Sequence, residues 1–244
     1  MKGGENMLRL ENALNIFTDA SVKGKVDKNN GNTICAGAVA VDGLGGRIGE
    51  YQTFIQNATN NIGELNAIGL GFRLAAEHKD KYTTINIFSD SKISVCGFRD
   101  WMLGWINRSL DGITLQSTTG PVANQNIILR ITDEIITNFD PNKDKVNLFH
   151  VNSHINVRSI KDMNKATKTF MNNLYNPTIT DRDYYLDNFS FIQRWNNYID
   201  ESTRSSFRSQ QYGVCYVPQY EMMPNALSPL IFDHYNIYHR ILHG

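Results

Sequence analysis

Three acidic residues stand where their side chains can meet. Asp19 closes the apolar run Asn15-Ile16-Phe17-Thr18-Asp19, Glu64 lies in the first turn of an amphipathic segment, and Asp90 closes a second run, Thr84-Ile85-Asn86-Ile87-Phe88-Ser89-Asp90. In an α/β sheet, the ends of neighbouring strands and the start of an adjacent helix can converge on one point. Carboxylates gathered there repel one another, and a bound divalent cation with oxygen ligands, typically Mg²⁺, makes such a cluster tolerable. Isolated acids are ordinarily solvated surface groups, so the case rests on the elements around these three.

Those elements follow from periodicity. Asn15 to Asp19 and Cys35 to Val41 are short apolar runs that read as strands, Asp42-Gly43-Leu44-Gly45-Gly46 is a turn, and Arg47 to Phe54 alternates as the returning strand of a hairpin. Together they make an antiparallel trio. Asn60-Asn61 can cap a helix in which Leu65, Ile68, Phe72 and Ala75 recur at helical spacing through His78. Thr84 to Asp90 is a further strand, and from Ser91 the spacing of Val95, Phe98, Met102 and Trp105 predicts a helix that begins directly after Asp90. A loop around Thr118-Thr119-Gly120-Pro121, a helix over 124–138, a strand over 146–151 and a helix from about Ser159 to Leu174 complete an α/β pattern. Periodicity stops at Asn176-Pro177, and four of the six prolines lie at or beyond that point. The chain therefore divides into an N-terminal segment (1–13), an α/β domain (14–175) and a compositionally different C-terminal extension (176–244).

Length and composition narrow the class. The 244 residues can bury a full core without disulfide or metal staples. Hydrophobic residues are 41% and charged ones 20%, mean hydropathy is -0.37, and no apolar run approaches the roughly 20 residues of a bilayer crossing. Membrane spanning and disorder are both set aside. Lys plus Arg (24) balances Asp plus Glu (24), so contact with nucleic acid must come from a local patch and not from a global positive field. Cys35, Cys96 and Cys215 form neither a C-x-x-C pair nor a disulfide framework, and Met1 to Asn6 lacks an apolar leader. The expected compartment is the cytoplasm.

Over roughly residues 14–174 the chain resembles type 1 ribonuclease H of the bacterial kind. Asn15-Ile16-Phe17-Thr18-Asp19-Ala20-Ser21 is similar to the family's first strand with its first catalytic aspartate. Thr59-Asn60-Asn61-Ile62-Gly63-Glu64-Leu65 is similar to the T-x-N-x-x-E-L segment that carries the catalytic glutamate. Phe88-Ser89-Asp90-Ser91 matches the strand end bearing the next aspartate, and Gly97 to Trp105 resembles the helix leading to the family's substrate-binding handle. The resemblance implies a ribonuclease H-like fold, with a five-stranded mixed sheet of three antiparallel then two parallel strands and helices on both faces. It also implies cleavage of the RNA strand of RNA–DNA hybrids by a two-metal-ion mechanism, leaving 5′-phosphate and 3′-hydroxyl ends. Asp19, Glu64 and Asp90 would ligate two Mg²⁺ ions, with Mn²⁺ as a substitute, and Glu64 would also meet the ribose 2′-hydroxyl.

The same resemblance supplies the remaining site residues. Val151-Asn152-Ser153-His154 looks like the flexible loop whose histidine shuttles a proton or helps product leave, which assigns that role to His154. The family's fourth carboxylate lies at its last helix. A register fixed by Ala166 and Phe170 puts Asn164 there, while Asp162 lies about 200° away around the helix. Asn164 is then a weak or water-mediated ligand, and Asn164→Asp should change the Mg²⁺ requirement. Asn60 and Asn61 match minor-groove contacts to the hybrid, Ser21 and Ser91 flank the two aspartates as substrate contacts, and Trp101 and Trp105 match the pair near the channel for the DNA strand. The handle over 107–123 keeps only Arg108 as a cation, which implies weaker and less salt-sensitive hybrid binding.

The extension falls outside the resemblance. Phe191, Ile192, Trp195, Tyr198 and Ile199 make an amphipathic helix, followed by an extended, proline-punctuated tail with Tyr212, Tyr216 and Tyr220. It is expected to dock on the α/β domain or on a second copy, leaving monomer and dimer open. His234, His239 and His243 lack metal-ligand spacing. Two alternatives remain: another nuclease of the same superfold, such as a junction resolvase, or a hybrid-binding module that has lost catalysis. Asn164 and the novel tail motivate the second, and the retention of three mutually repelling acids weighs against it.

Overall fold

A computed structural model of the chain describes residues 8–24, 32–174, 176–220 and 229–243. Residues 1–7 of the N-terminal segment, and Pro224 of the tail, lie outside the described residues. β1 (Ala13–Val22), β2 (Asn32–Val41) and β3 (Arg47–Ala58) pair antiparallel in that order. Asp42 closes the β2–β3 turn, its Oδ1 accepting from the N–H groups of Leu44 at 2.9 Å and Gly46 at 2.7 Å. α1 (Asn60–His78) begins where the Thr59 side chain accepts from the N–H of Ile62.

β4 (Thr84–Ser89) then lies parallel to β1. The single helix expected after Asp90 is broken: α2 (Lys92–Cys96) opens into a wide, π-type turn at Gly97–Trp101 before α3 (Met102–Asn107). The loop around Gly120 is a small hairpin of β5 (Gln116–Ser117) and β6 (Gly120–Pro121). α4 (Gln125–Asn138) leads to β7 (Val146–His150), parallel to β4, and α5 (Ile160–Met171) follows. The extension supplies α6 (Ile179–Ser206), β8 (Cys215–Tyr216) and α7 (Leu230–His243).

The main sheet has the order β7-β4-β1-β2-β3-β8, so the five expected strands are joined by a sixth, the short β8 lying parallel to β3. Its central strands are buried on both faces, which is why they read as continuous apolar runs without strict alternation. One face, with Ile16, Ala38 and Ile87, packs against α1, α4 and α7; the other, with Phe17, Val39 and Phe88, packs against α5 and α6. A ladder of rings crosses the second layer: Phe17 to Phe88 at 4.8 Å, Phe88 to Phe149 at 5.4 Å, Phe149 to Phe170 at 5.4 Å and Phe170 to Tyr185 at 4.2 Å.

The extension is therefore part of the core. Its end also differs from the extended tail that the prolines predict, because Ile231, Tyr238, Ile241 and Leu242 make α7 an amphipathic helix seated against α4. α6 starts in a capping box between Thr178 and Asp181 and lies across β1 and β2. Close approach is possible because β2 has no side chain at Gly37, where an added Cβ would sit 2.6 Å from Thr203 Cγ2 and 3.1 Å from Ile199 Cδ1. Buried Glu50 on β3 ties the same helix down, accepting from the hydroxyls of Ser202 and Tyr198. Ile199 is fully buried in this contact, so Ile199→Ala should cost about 2–4 kcal/mol in denaturant unfolding. A dispensable appendage would show no such loss.

Candidate metal centre

Strand register brings the first two acids together. Thr18 of β1 pairs with Ser89 of parallel β4, so the residues that follow lie side by side: Asp90 just past the end of β4, and Asp19 within β1, which does not stop there as its sequence predicts but runs on to Val22 because β2 continues to pair with it. Glu64 reaches them from α1, one turn further into the helix than its sequence predicts because α1 begins at Asn60. The start of α1 lies close to the sheet because Gly63 has no side chain: an added Cβ would stand 2.6 Å from Ile34 Cγ2 and 3.0 Å from Ala20 Cβ. One carboxylate oxygen from each of Asp19, Glu64 and Asp90 falls within 4.8 Å of the others.

The cluster is crowded and short of partners. Asp19 is 7% exposed, and burial followed by the charges of Asp90 and Asp200 pushes its carboxyl well above the usual range. Burial, then Asp19, Asp90 and Asp200, do the same to Glu64, whose buried Oε2 has no hydrogen-bond partner. Asp90 is raised less severely, since the nearby His154 and the Ser153 hydroxyl offset part of the effect of burial. Its main-chain carbonyl faces His150 Nε2 at 3.2 Å.

Asp200 is the acid that the sequence reading missed. It projects from α6, shares a hydrogen bond with Asp19, and lies 3.6 Å from His154 Nδ1 through its Oδ2. Arg204, one turn further along, donates from Nη2 to both of its oxygens at 2.6 and 2.8 Å. Asn164 is exposed on α5, and Asp162 is engaged in capping that helix, so neither joins the groups acting on the three acids. The register that selects Asn164 is sound, with Ala166 and Phe170 both buried, but a second helix follows α5 and carries an acid to the cluster. The available signal was the small residues Ser202, Thr203 and Ser206 beside Asp200, which make one helix face thin enough to approach the sheet.

The other expected contacts separate into two groups. Asn60 and Asn61 are exposed in the first turn of α1, just before Glu64, and His154 is exposed in its loop with φ of 51°. From Asn61 a cleft of about 310 Å³ runs past Leu65 and Ser94 to Trp105; a second of about 400 Å³ continues from Trp105 and Ser117 to Trp101 and Arg108. Trp101 is 42% exposed and meets the 9%-exposed Trp105 edge to face at 5.9 Å. The two serines do structural work instead. Ser21 is buried beneath α6 in a hydrogen bond with Thr203 Oγ1 at 2.9 Å, and Ser91 caps α2 through the N–H of Ser94.

All-oxygen donors, an unpartnered Glu64 oxygen and carboxyls raised by burial and by one another fit a hard divalent cation. A mixed sheet with an acidic centre where β1 passes the end of parallel β4 defines a ribonuclease H-like α/β protein. The ribonuclease H family model matches residues 11–172, and the chain belongs to that family of hybrid-cutting nucleases. Similar solved structures include RNase H1 from the halophilic archaeon Halobacterium salinarum NRC-1, at 20% identity over 58% of this chain and 86% of that one, with a TM-score of 0.40. LC9-RNase H1, a type 1 RNase H with the type 2 active-site motif, is 17% identical over 72% and 81% of the two chains, with a TM-score of 0.46. LC11-RNase H1, solved in complex with an RNA/DNA hybrid, is 19% identical over 63% and 95%, with a TM-score of 0.40. Comparison with curated proteins gives no match. Among the described residues no helix is long and apolar enough to cross a membrane.

The raised carboxyls set a pH dependence. Between the unfolded carboxyl values, near pH 4, and the raised folded values, the folded state binds more protons than the unfolded one. Their contribution to stability is complete below about pH 4 and is lost as pH rises through the folded values. In EDTA the thermal midpoint should therefore fall from about pH 5 towards about pH 8, Mg²⁺ should reverse the fall, and Asp19→Asn should flatten it. A midpoint in EDTA that holds level over this range would mean that burial and mutual repulsion do not raise these carboxyls.

Proposed function

We propose that this ribonuclease H cuts internally in the RNA strand of RNA–DNA hybrids, leaving 5′-phosphate and 3′-hydroxyl ends, with Mg²⁺ held by Asp19, Glu64, Asp90 and Asp200. The observation that carries this reading is the convergence of Asp19, Glu64 and Asp90 within 4.8 Å inside the family-matching segment. Two such ions, or Mn²⁺ in their place, would supply Lewis-acid neutralisation of a phosphate and water activated near neutral pH.

The protein residues do the rest. Asp19, which hydrogen-bonds to Asp200 and lies beside Asp90, is the acid placed to bridge the two halves of the site. Glu64 brings its unpartnered Oε2 and follows Asn60 and Asn61 by one turn of α1, and the amides of those two can read sugar and base edges in a minor groove. His154 turns Nδ1 towards Asp200, which leaves Nε2 to exchange a proton with the departing 3′-oxygen. The groove from Asn61 to Trp101 gives the second strand an aromatic wall. Asp200 also weakens the case for a non-catalytic hybrid binder, since that case drew on the lack of a fourth carboxylate at Asn164.

Labelled RNA–DNA hybrid, duplex RNA and duplex DNA, each incubated with the chain in Mg²⁺ or Mn²⁺, provide the test. Only the RNA of the hybrid should be cut, and Asp19→Asn should abolish cutting. Retained hybrid binding without cutting in either metal would support the binder instead. Removing a ligand charge by Asp200→Asn should raise the Mg²⁺ needed for half-maximal activity by about tenfold or more, while Asn164→Asp leaves it unchanged. The reverse pattern would return the fourth position to α5.

A further inference from the structure

The wide turn at Gly97–Trp101 interrupts the helical ladder beside the groove, and such turns gather at functional sites because they redirect side chains. Its carbonyls are taken by the far end of the chain. The Phe98 carbonyl accepts from the Tyr238 hydroxyl at 2.6 Å, and the Arg99 carbonyl faces His243 Nε2 at 2.9 Å. Both partners belong to α7, outside the residues that match the family. Tyr238 is 1% exposed, and burial pushes its phenol well above the ordinary value, so its hydroxyl is a permanent donor. Burial holds the His243 imidazole below its ordinary value, which favours the neutral ring with Nε2–H donating.

α7 is anchored independently of the turn. The N–H of Leu230 donates to Asp133 Oδ1 at 2.8 Å, Arg240 Nη2 donates to Asn142 Oδ1 at 2.7 Å, and Ile231, Ile241 and Leu242 are buried in the core. Across the turn, Trp105 lies against Gly97, where an added Cβ would stand 3.0 Å from its Cη2, and Trp101 meets Trp105 edge on. The turn is thus held between α7 and the two tryptophans.

We propose that α7 is a brace for the tryptophan groove: Tyr238 and His243 fix the turn, the turn orients Trp101 and Trp105, and affinity for the hybrid depends on a helix that never touches it. This rests on the hybrid reading above. Tyr238 and His243 are positioning residues; the acids stand on other elements, so the brace acts on binding and leaves the chemical step alone.

Steady-state cleavage of a hybrid by the full chain, Tyr238→Phe, Trp101→Ala and the double variant tests it. Tyr238→Phe should raise KM about three- to tenfold with kcat held within about twofold. In the Trp101→Ala background the same change should add less than about twofold, because the tryptophan it orients is gone. Hybrid titration of the Asp19→Asn chain with and without Tyr238→Phe, followed by tryptophan emission, should show the same weakening without turnover. Should circular dichroism show Tyr238→Phe unfolded, His243→Gln takes its place in each comparison. An unchanged KM, a loss confined to kcat, or full additivity with Trp101→Ala would overturn the brace. A wild-type chain that neither binds nor cuts the hybrid would overturn the functional reading instead.

Discussion

The burial of mutually repelling carboxylates where β1 passes the end of β4 is the constraint on which the rest of this architecture turns. Asp19, Glu64 and Asp90 are brought within 4.8 Å of one another, and Asp200 adds a fourth acid. Separation would relieve all of them, so the surrounding fold must make separation more costly than repulsion. Two contacts without a side chain in the way do this: Gly63 seats the first turn of α1 on Ala20 and Ile34, and Gly37 seats α6 through Thr203 and Ile199. Among the described residues Arg204 and His154 are turned to Asp200, and His154 and Ser153 ease only Asp90. Asp19 and Glu64 have no such relief from a basic side chain, which primes the centre for a divalent ion.

α6 is what makes the fourth acid possible. A helix that brings an acid to this cluster must be held as firmly as the elements that carry the other three, and the ring ladder from Phe17 through Phe170 to Tyr185 runs from the strand bearing Asp19 into the helix bearing Asp200. The buried Glu50 cluster with Ser202 and Tyr198 pins the helix near Asp200 from the β3 side. Ligand position and core packing are thus the same set of contacts, which explains why a segment beyond the family-matching residues is buried as deeply as the sheet itself.

Most of the fold was legible in the sequence because its signals are local. Asn15 to Asp19 and Thr84 to Asp90 announce strands, and the spacing of Leu65, Ile68, Phe72 and Ala75 announces α1. Asp19, Glu64 and Asp90 could be chosen as a group because each lies where an apolar pattern changes in the sequence, although β1 itself runs on past Asp19 to Val22. Asp200 could not, since it lies mid-helix and comes near Asp19 only through tertiary packing across 181 residues of chain. The same reason hid the burial of Ser21, a consequence of where α6 lands. α7 escaped notice because prolines upstream of it dominate the local composition, and the wide turn at Gly97 escaped because its spacing of apolar residues differs little from that of an ordinary helix.

Charge balance explains why the two helices of the extension serve opposite sides of the molecule. With 24 cations against 24 anions, no global field draws a polyanion in, and the segment over 107–123 offers only Arg108. Even that guanidinium is engaged, donating from Nε to the Gln116 carbonyl at 3.0 Å. On the function proposed above, grip on a nucleic-acid strand comes from contact with apolar and aromatic surface, which a groove lined by Trp101, Trp105 and Leu65 can supply. A point charge attracts over several ångströms and tolerates misalignment, whereas a stacked or edge-on ring loses its contact with a small rotation. A binding surface that relies on rings in place of cations therefore needs its backbone held rigid. α7 holds that backbone from behind, as α6 holds the acids from the opposite face of the sheet.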